Sequence, residues 1–140
     1  MMRVVFVVAL FLVQAVYAGE YPKYEAKVAG VYDGDSIKLS EPIMWPIYDI
    51  RVRGVDTPEI GWRAQCPEEA KKAEEAKEFV IKHLASAEKI ILSHIGEGKY
   101  GRLVARVEVD EQDLAQLLIE AGLGRPYNGG KRESWCTGVR

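Results

Sequence analysis

Ile50-Arg51-Val52-Arg53-Gly54-Val55-Asp56-Thr57-Pro58-Glu59 begins as a strand and ends as a cluster of charged groups. Ile50 and Val52 alternate with Arg51 and Arg53, the period-2 pattern of a strand over residues 50–55 with one apolar and one cationic face. Working outward, residues 24–31 alternate loosely, Asp33-Gly34 reads as a tight turn, and Ser36–Leu39 returns as the second strand of a hairpin. Downstream, residues 89–95 and 103–109 read as strands separated by the Gly-rich turn 96–101. Between them Pro67 opens the clearest helix, with Glu68 and Glu69 placed to complement its positive end. Ala70, Ala73, Ala76, Phe79, Val80 and Leu84 recur at helical spacing along its buried face. Leu114, Leu117, Leu118 and Ala121 define a second helix that Gly122 can stop. Two prolines in residues 41–49 argue against a central strand and leave a loop whose apolar tip, Met44-Trp45, reads as a core plug or else a contact surface. Five strands with helices in these places predict an α+β, mainly β domain: a small five-stranded OB-type barrel with two or three helices.

Residues 1–18 stand apart. Arg3 precedes an apolar run over residues 4–13, and Val16-Tyr17-Ala18 offers a small residue for cleavage. This is the anatomy of a signal peptide, and the run is short for a membrane span, which needs about 20 residues. An exported chain of residues 19–140 is expected, with an uncleaved membrane anchor as the alternative. The remaining length suits one domain. Two cysteines, Cys66 and Cys136, then suggest a disulfide closing a loop of about 70 residues, against the alternative of two free thiols. Neither His83 nor His94 has the close Cys/His spacing that zinc requires. Formal net charge is −2, unusual for a nucleic-acid binder. Much of the acid, however, lies on the first helix, leaving Arg51, Arg53, Lys99, Arg102, Arg125, Lys131 and Arg132 to form a local basic site.

Chemistry concentrates in three segments. Arg51, Asp56 and Glu59 fall within nine residues, Asp33-Gly34-Asp35-Ser36 lies upstream, and Lys99-Tyr100-Gly101-Arg102 lies downstream. Two arginine forks neutralise phosphate oxygens, two carboxylates suit a hard cation, and a spare glutamate can take a proton from water. Together these are the parts of metal-assisted phosphodiester hydrolysis. An EF-hand reading of Asp33-Gly-Asp35 fails, because Lys38 stands where that loop needs glycine and Met44 where it needs glutamate.

In order and spacing, these segments resemble the staphylococcal nuclease (thermonuclease) family over residues 24–135. The resemblance implies that Asp35, Asp56 and the backbone carbonyl of Thr57 hold one calcium ion, with Asp33 supporting them. It casts Glu59 as general base or water-orienting residue and Arg51 and Arg102 as the grip on the scissile phosphate. It also puts Lys99 and Tyr100 near a terminal phosphate and Tyr127 against a base, with Arg53 left as a rim charge. The expected protein is an exported, monomeric, calcium-dependent endonuclease acting on DNA and RNA, preferring single strands and leaving 3′-phosphate ends. The alternative is a non-catalytic nucleic-acid-binding or protein-interaction OB module. Ser36 departs from the family's threonine, the insert around Trp45 differs, and the tail after Tyr127 lacks the long basic helix of the staphylococcal enzyme.

Overall fold

The structure, a computed structural model, describes residues 21–138. The leader assigned to residues 1–18 lies outside the described residues. In chain order the elements are β1 (Tyr24–Glu25), β2 (Val28–Asp33), β3 (Ser36–Leu39), β4 (Asp49–Val52), β5 (Gly54–Asp56) and α1 (Pro67–Ala85). Then follow β6 (Ile90–Glu97), β7 (Leu103–Val109), β8 (Gln112–Asp113), α2 (Leu114–Glu120) and β9 (Arg125–Tyr127).

Alternation in the sequence becomes alternation in burial. Along β7, Leu103, Ala105, Val107 and Val109 point into the core while the residues between them are partly exposed. The main sheet runs β1-β6-β7-β4-β3-β2, with β8 on the edge of β7, and a separate ladder joins β5 to β9. Its one parallel pairing brings β4 against β7, with Ile50 opposite Leu103 and Arg51 opposite Val104. Ile37, Leu39, Ile50, Val52, Leu92 and Val107 fill the interior, and α1 adds Ala76, Val80 and Leu84 to it. Helix α2 contributes Leu114 and Leu118. The expected OB-type, mainly β domain with two helices is therefore what forms, but its described residues make nine short strands where five were expected.

Three local readings change. Residues 50–55 do not run as one strand: Gly54, at φ 91°, occupies a conformation that side-chain-bearing residues avoid. The chain turns there, so β4 stays beside β7 while β5 pairs with β9. The hairpin turn is one residue later than read, because Asp33 pairs with Ser36 and leaves Gly34 and Asp35 at its tip. Trp45 is not a core plug. It is 77% exposed and Met44 55%, while the flanking Ile43 and Ile47 pack on the core instead.

Helix α1 begins as expected, with Pro67 in its first turn and Glu68 and Glu69 beside it. The Cys66 sulfur caps it by accepting the Glu69 amide at 3.4 Å. Cys66 is also bonded to Cys136, their Cα atoms 5.9 Å apart and 70 positions apart in sequence. Of the two alternatives the sequence left open, the paired one forms. Such a closure removes about 3–4 kcal/mol of unfolded-chain entropy. Urea unfolding with and without dithiothreitol should differ by that order; a difference below about 1 kcal/mol would mean the tail is held without it.

Candidate active site

Strand register brings the cationic groups together. Ser36 sits opposite Arg51 on the β3–β4 pairing, and Arg51 opposite Val104 on β4–β7. Arg102 lies two residues before Val104, so the same side of the sheet presents both arginines. Arg102 Nη1 reaches the Ser36 hydroxyl at 3.4 Å. That hydroxyl in turn donates to Asp35 Oδ1 at 3.1 Å.

Asp35 is 2% exposed, at the tip of the β2–β3 hairpin. Its amide donates to Asp33 Oδ1 at 3.2 Å, the Asx-turn arrangement that makes aspartate suitable there. Its carboxylate accepts from Arg51 Nη1 at 2.8 Å and from the Thr57 amide at 3.1 Å. The hairpin tip is thereby tied to the end of β5. Only glycine fits beside it: a Cβ on Gly34 would lie 2.8 Å from Thr57 Cγ2 and 2.9 Å from Ala76 Cβ. Asp56, 4% exposed, closes the other side. Its Oδ1 accepts from Arg51 Nη2 at 3.5 Å and is ion-paired with Arg132 Nε at 3.1 Å, and its Oδ2 accepts from the Trp135 indole at 3.4 Å.

Glu59 stands beyond Asp56 on the loop into α1. Its amide donates to Glu69 Oε1 at 3.1 Å, and Glu69 Oε2 accepts the Gln65 amide at 2.7 Å. Glu69, only 4% exposed, thus pins the segment carrying Glu59 to the start of α1. The Glu59 carboxylate accepts from Arg132 Nη1 at 2.5 Å.

Burial dominates the electrostatics. It pushes the Asp33 carboxyl up from 3.8 to about 6, helped by the negative charge of Asp35. It also raises Asp56, against the opposing pull of Arg132. Burial would lower the Arg132 guanidinium, but Asp56 and Glu59 outweigh it and hold that group above its ordinary value. A carboxyl raised on folding binds more protons folded than unfolded, so its effect on stability is unfavourable above the folded pKa and vanishes below the unfolded one. In chelator, stability should therefore fall as pH rises from 3.8 to about 6 through the share due to Asp33. Asp33→Asn should flatten that part of a urea-unfolding profile and gain on the wild type between pH 4 and pH 7. Parallel profiles for the two proteins would contradict it.

The donor set fits a hard cation. Asp35 and Asp56 are buried carboxylates, and the neighbouring Thr57 Oγ1 is buried without a hydrogen-bond partner. All-oxygen donors of this kind suit calcium. Cys66, Glu69 and Cys136 also place one ligand atom each within 4.8 Å of the others. The two sulfurs are bonded to each other, however, which leaves that group a single carboxylate.

With this geometry in place, the family comparison is decisive. The staphylococcal nuclease homologue model matches residues 49–135. The chain belongs to the staphylococcal nuclease family. No curated protein matches it in a sequence search. Family membership supports a nuclease or nucleic-acid-binding role on an OB-like fold. The matched span includes Arg51, Asp56, Thr57, Glu59, Arg102 and Tyr127, while Asp33 and Asp35 precede it. Asp35 joins the nuclease-family segment through space, by its bonds to Arg51 and the Thr57 amide, and Asp33 is tied in through the Asp35 amide.

The other residues named from the sequence take distinct places. Lys99, Tyr100 and Tyr127 line one groove of about 800 Å³ with Arg51 and Arg102. Tyr100 is 91% exposed, with φ 61° in the turn before β7. The Tyr127 ring lies 5.9 Å from the Arg51 guanidinium, and its hydroxyl donates to the Gly130 carbonyl. Arg53 lines the same groove, its Nε bonded to the His94 carbonyl at 3.1 Å. Three residues stand closer to the centre than the sequence reading put them: Glu69 was read only as a helix-end charge, Arg132 only as one of seven basic residues, and Trp135 was given no role. Only the disulfide could have pointed to the last two, because pairing Cys136 with Cys66 obliges the tail to return past Glu59.

Proposed function

We propose that the protein is an exported, calcium-dependent nuclease that hydrolyses phosphodiester bonds of DNA and RNA and prefers single strands. The observation that carries this reading is the convergence of Arg51 on both Asp35 and Asp56, with Arg102 and Glu59 at the two ends of the same cluster. Asp35, Asp56 and the Thr57 carbonyl would hold one calcium ion, with Asp33 fixing the hairpin tip. When bound, that ion polarises the phosphoryl group.

The chain's own groups supply the rest. Glu59 takes a proton from the attacking water, or orients it, as its oxygen bonds to phosphorus. Arg51 and Arg102 neutralise the non-bridging oxygens as charge grows, the electrostatic contribution that usually dominates such reactions. Following the family, the bond to the 5′ oxygen breaks, leaving a 3′-phosphate and a 5′-hydroxyl. Lys99 and Tyr100 sit where a neighbouring phosphate would pass, and exposed rings such as Tyr100 and Tyr127 would stack on unpaired bases of any sequence. Duplex DNA keeps its bases stacked inside, which favours single strands as substrate. The Cys66–Cys136 bridge supports export, since disulfides persist in oxidising compartments.

End-group analysis tests the proposal on heat-denatured and native DNA in calcium. Faster cutting of the denatured strand with 3′-phosphate products is expected. Equal rates would remove the strand preference, and 5′-phosphate ends would remove the proposed bond cleavage.

A further inference from the structure

We infer that Arg132, carried by the disulfide-anchored tail, is a third phosphate-binding arginine of this site. The inference rests on the nuclease reading and deepens it. Three observations bear on it. First, the tail is built into the site. Arg125 Nη1 donates to the Ser134 carbonyl at 2.9 Å, and its guanidinium lies 3.7 Å from the centre of the Trp135 ring. Trp135 bonds to Asp56, and the next residue is cross-linked to Cys66. Arg132, four positions before that cross-link, is thus confined to the neighbourhood of Glu59 and Asp56.

Second, Arg132 mirrors Arg51. Both guanidiniums reach Asp56 Oδ1, at 3.1 and 3.5 Å. Both stand beside the Tyr127 ring, at 5.8 and 5.9 Å from its centre. A divalent cation on Asp56 competes with both and repels both by its charge. Two forks loosened from one carboxylate, beside one ring, are then free for the nearest anion, the phosphate backbone. Release of Arg132 also frees Glu59 to act on water.

Third, Arg132 lines both clefts that meet at the site. One holds Asp56, Glu59 and Trp135, and the other Arg51, Arg102 and Tyr127. Its side chain is 36% exposed, enough to change partners without breaking the core. A strand laid along the Arg51–Arg102 groove runs past it on the Tyr127 side. The tail thereby supplies by one fixed arginine what this chain lacks in overall positive charge.

The test compares wild type, Arg132→Ala and Arg132→Lys in calcium, each with the disulfide intact. Binding of a cleavage-resistant phosphorothioate oligothymidylate is followed by fluorescence anisotropy across a salt series, alongside kcat and KM on denatured DNA. Arg132→Ala should weaken binding and raise KM on the order of 10-fold, and its salt dependence should be shallower by about 0.7. Arg132→Lys should recover the salt slope, because the charge is kept, but only part of the affinity, because the fork is lost. A Cys66→Ser, Cys136→Ser double variant, assayed where it remains folded, should show the same rise in KM. Unchanged affinity and salt slope for Arg132→Ala, with calcium-dependent cutting by wild type, would overturn the inference alone. So would tighter calcium binding with faster cutting by Arg132→Ala, which would make Arg132 a cap on Glu59. Failure of folded wild type to bind or cut would overturn the nuclease reading and this inference with it.

Discussion

Arg102→Ala lowers kcat/KM on denatured DNA by about 10³–10⁵-fold, the range for removing an arginine that stabilises phosphoryl-transfer charge. The size follows from where Arg102 stands. It lies at the entrance to β7, on the same side of the sheet as Arg51, and among the described residues the polar contact of its side chain is the weak one to Ser36 at 3.4 Å. Truncation therefore leaves the fold and the Asp35–Asp56 pair in place, and the loss should fall on the reaction. Arg102→Lys should recover little, because an ammonium cannot make two parallel bonds to a phosphate. Steady-state kinetics with a matched thermal melt checks this. A loss under 10-fold with an unchanged melting temperature would remove Arg102 from the reaction.

Glu59→Gln is the second large effect, a fall in kcat of about 10²–10⁴-fold with KM nearly unchanged. Glutamine keeps the shape of the side chain and an oxygen that can accept the Arg132 bond. The backbone tie from the Glu59 amide to Glu69 is untouched. What disappears is the ability to take a proton from water. Glu69→Gln should act differently: its carboxylate accepts two amides, from Glu59 and Gln65, and glutamine has one acceptor oxygen for them, so the loop carrying Glu59 loses one of its two ties. Equal kcat for wild type and Glu59→Gln would make Glu59 a partner of Arg132 and nothing more.

Much of this arrangement was legible in the chain because it depends on local periodicity and spacing. Alternation of Ile50 and Val52 with Arg51 and Arg53 specifies both the strand and the side its arginines take. Pro67 with two glutamates marks the start of α1, and Gly122, at φ 70°, marks the end of α2. The segments holding Asp35, Arg51, Asp56, Glu59 and Arg102 could be named from their order and spacing together with the family resemblance these carry. What could not be read depends on contacts across the fold. Gly54 gives no local sign that β5 leaves β4 to pair with β9. Trp45 looked like core by composition, yet Ile43 and Ile47 take that role and turn it outward. Glu69 reads as a helix-dipole residue, and its burial beneath the 59–65 loop follows only from two amides aimed at it. Arg132 looked like one charge in a basic tail until the disulfide set it against Glu59 and Asp56.

The most direct single measurement is digestion of denatured plasmid DNA by folded residues 19–140, with calcium and with chelator, beside the Glu59→Gln protein. Cutting by wild type that requires calcium and falls at least 100-fold in Glu59→Gln is the expected result. No cutting by folded wild type in calcium at low salt, or cutting that survives both chelator and Glu59→Gln, would contradict the proposed nuclease.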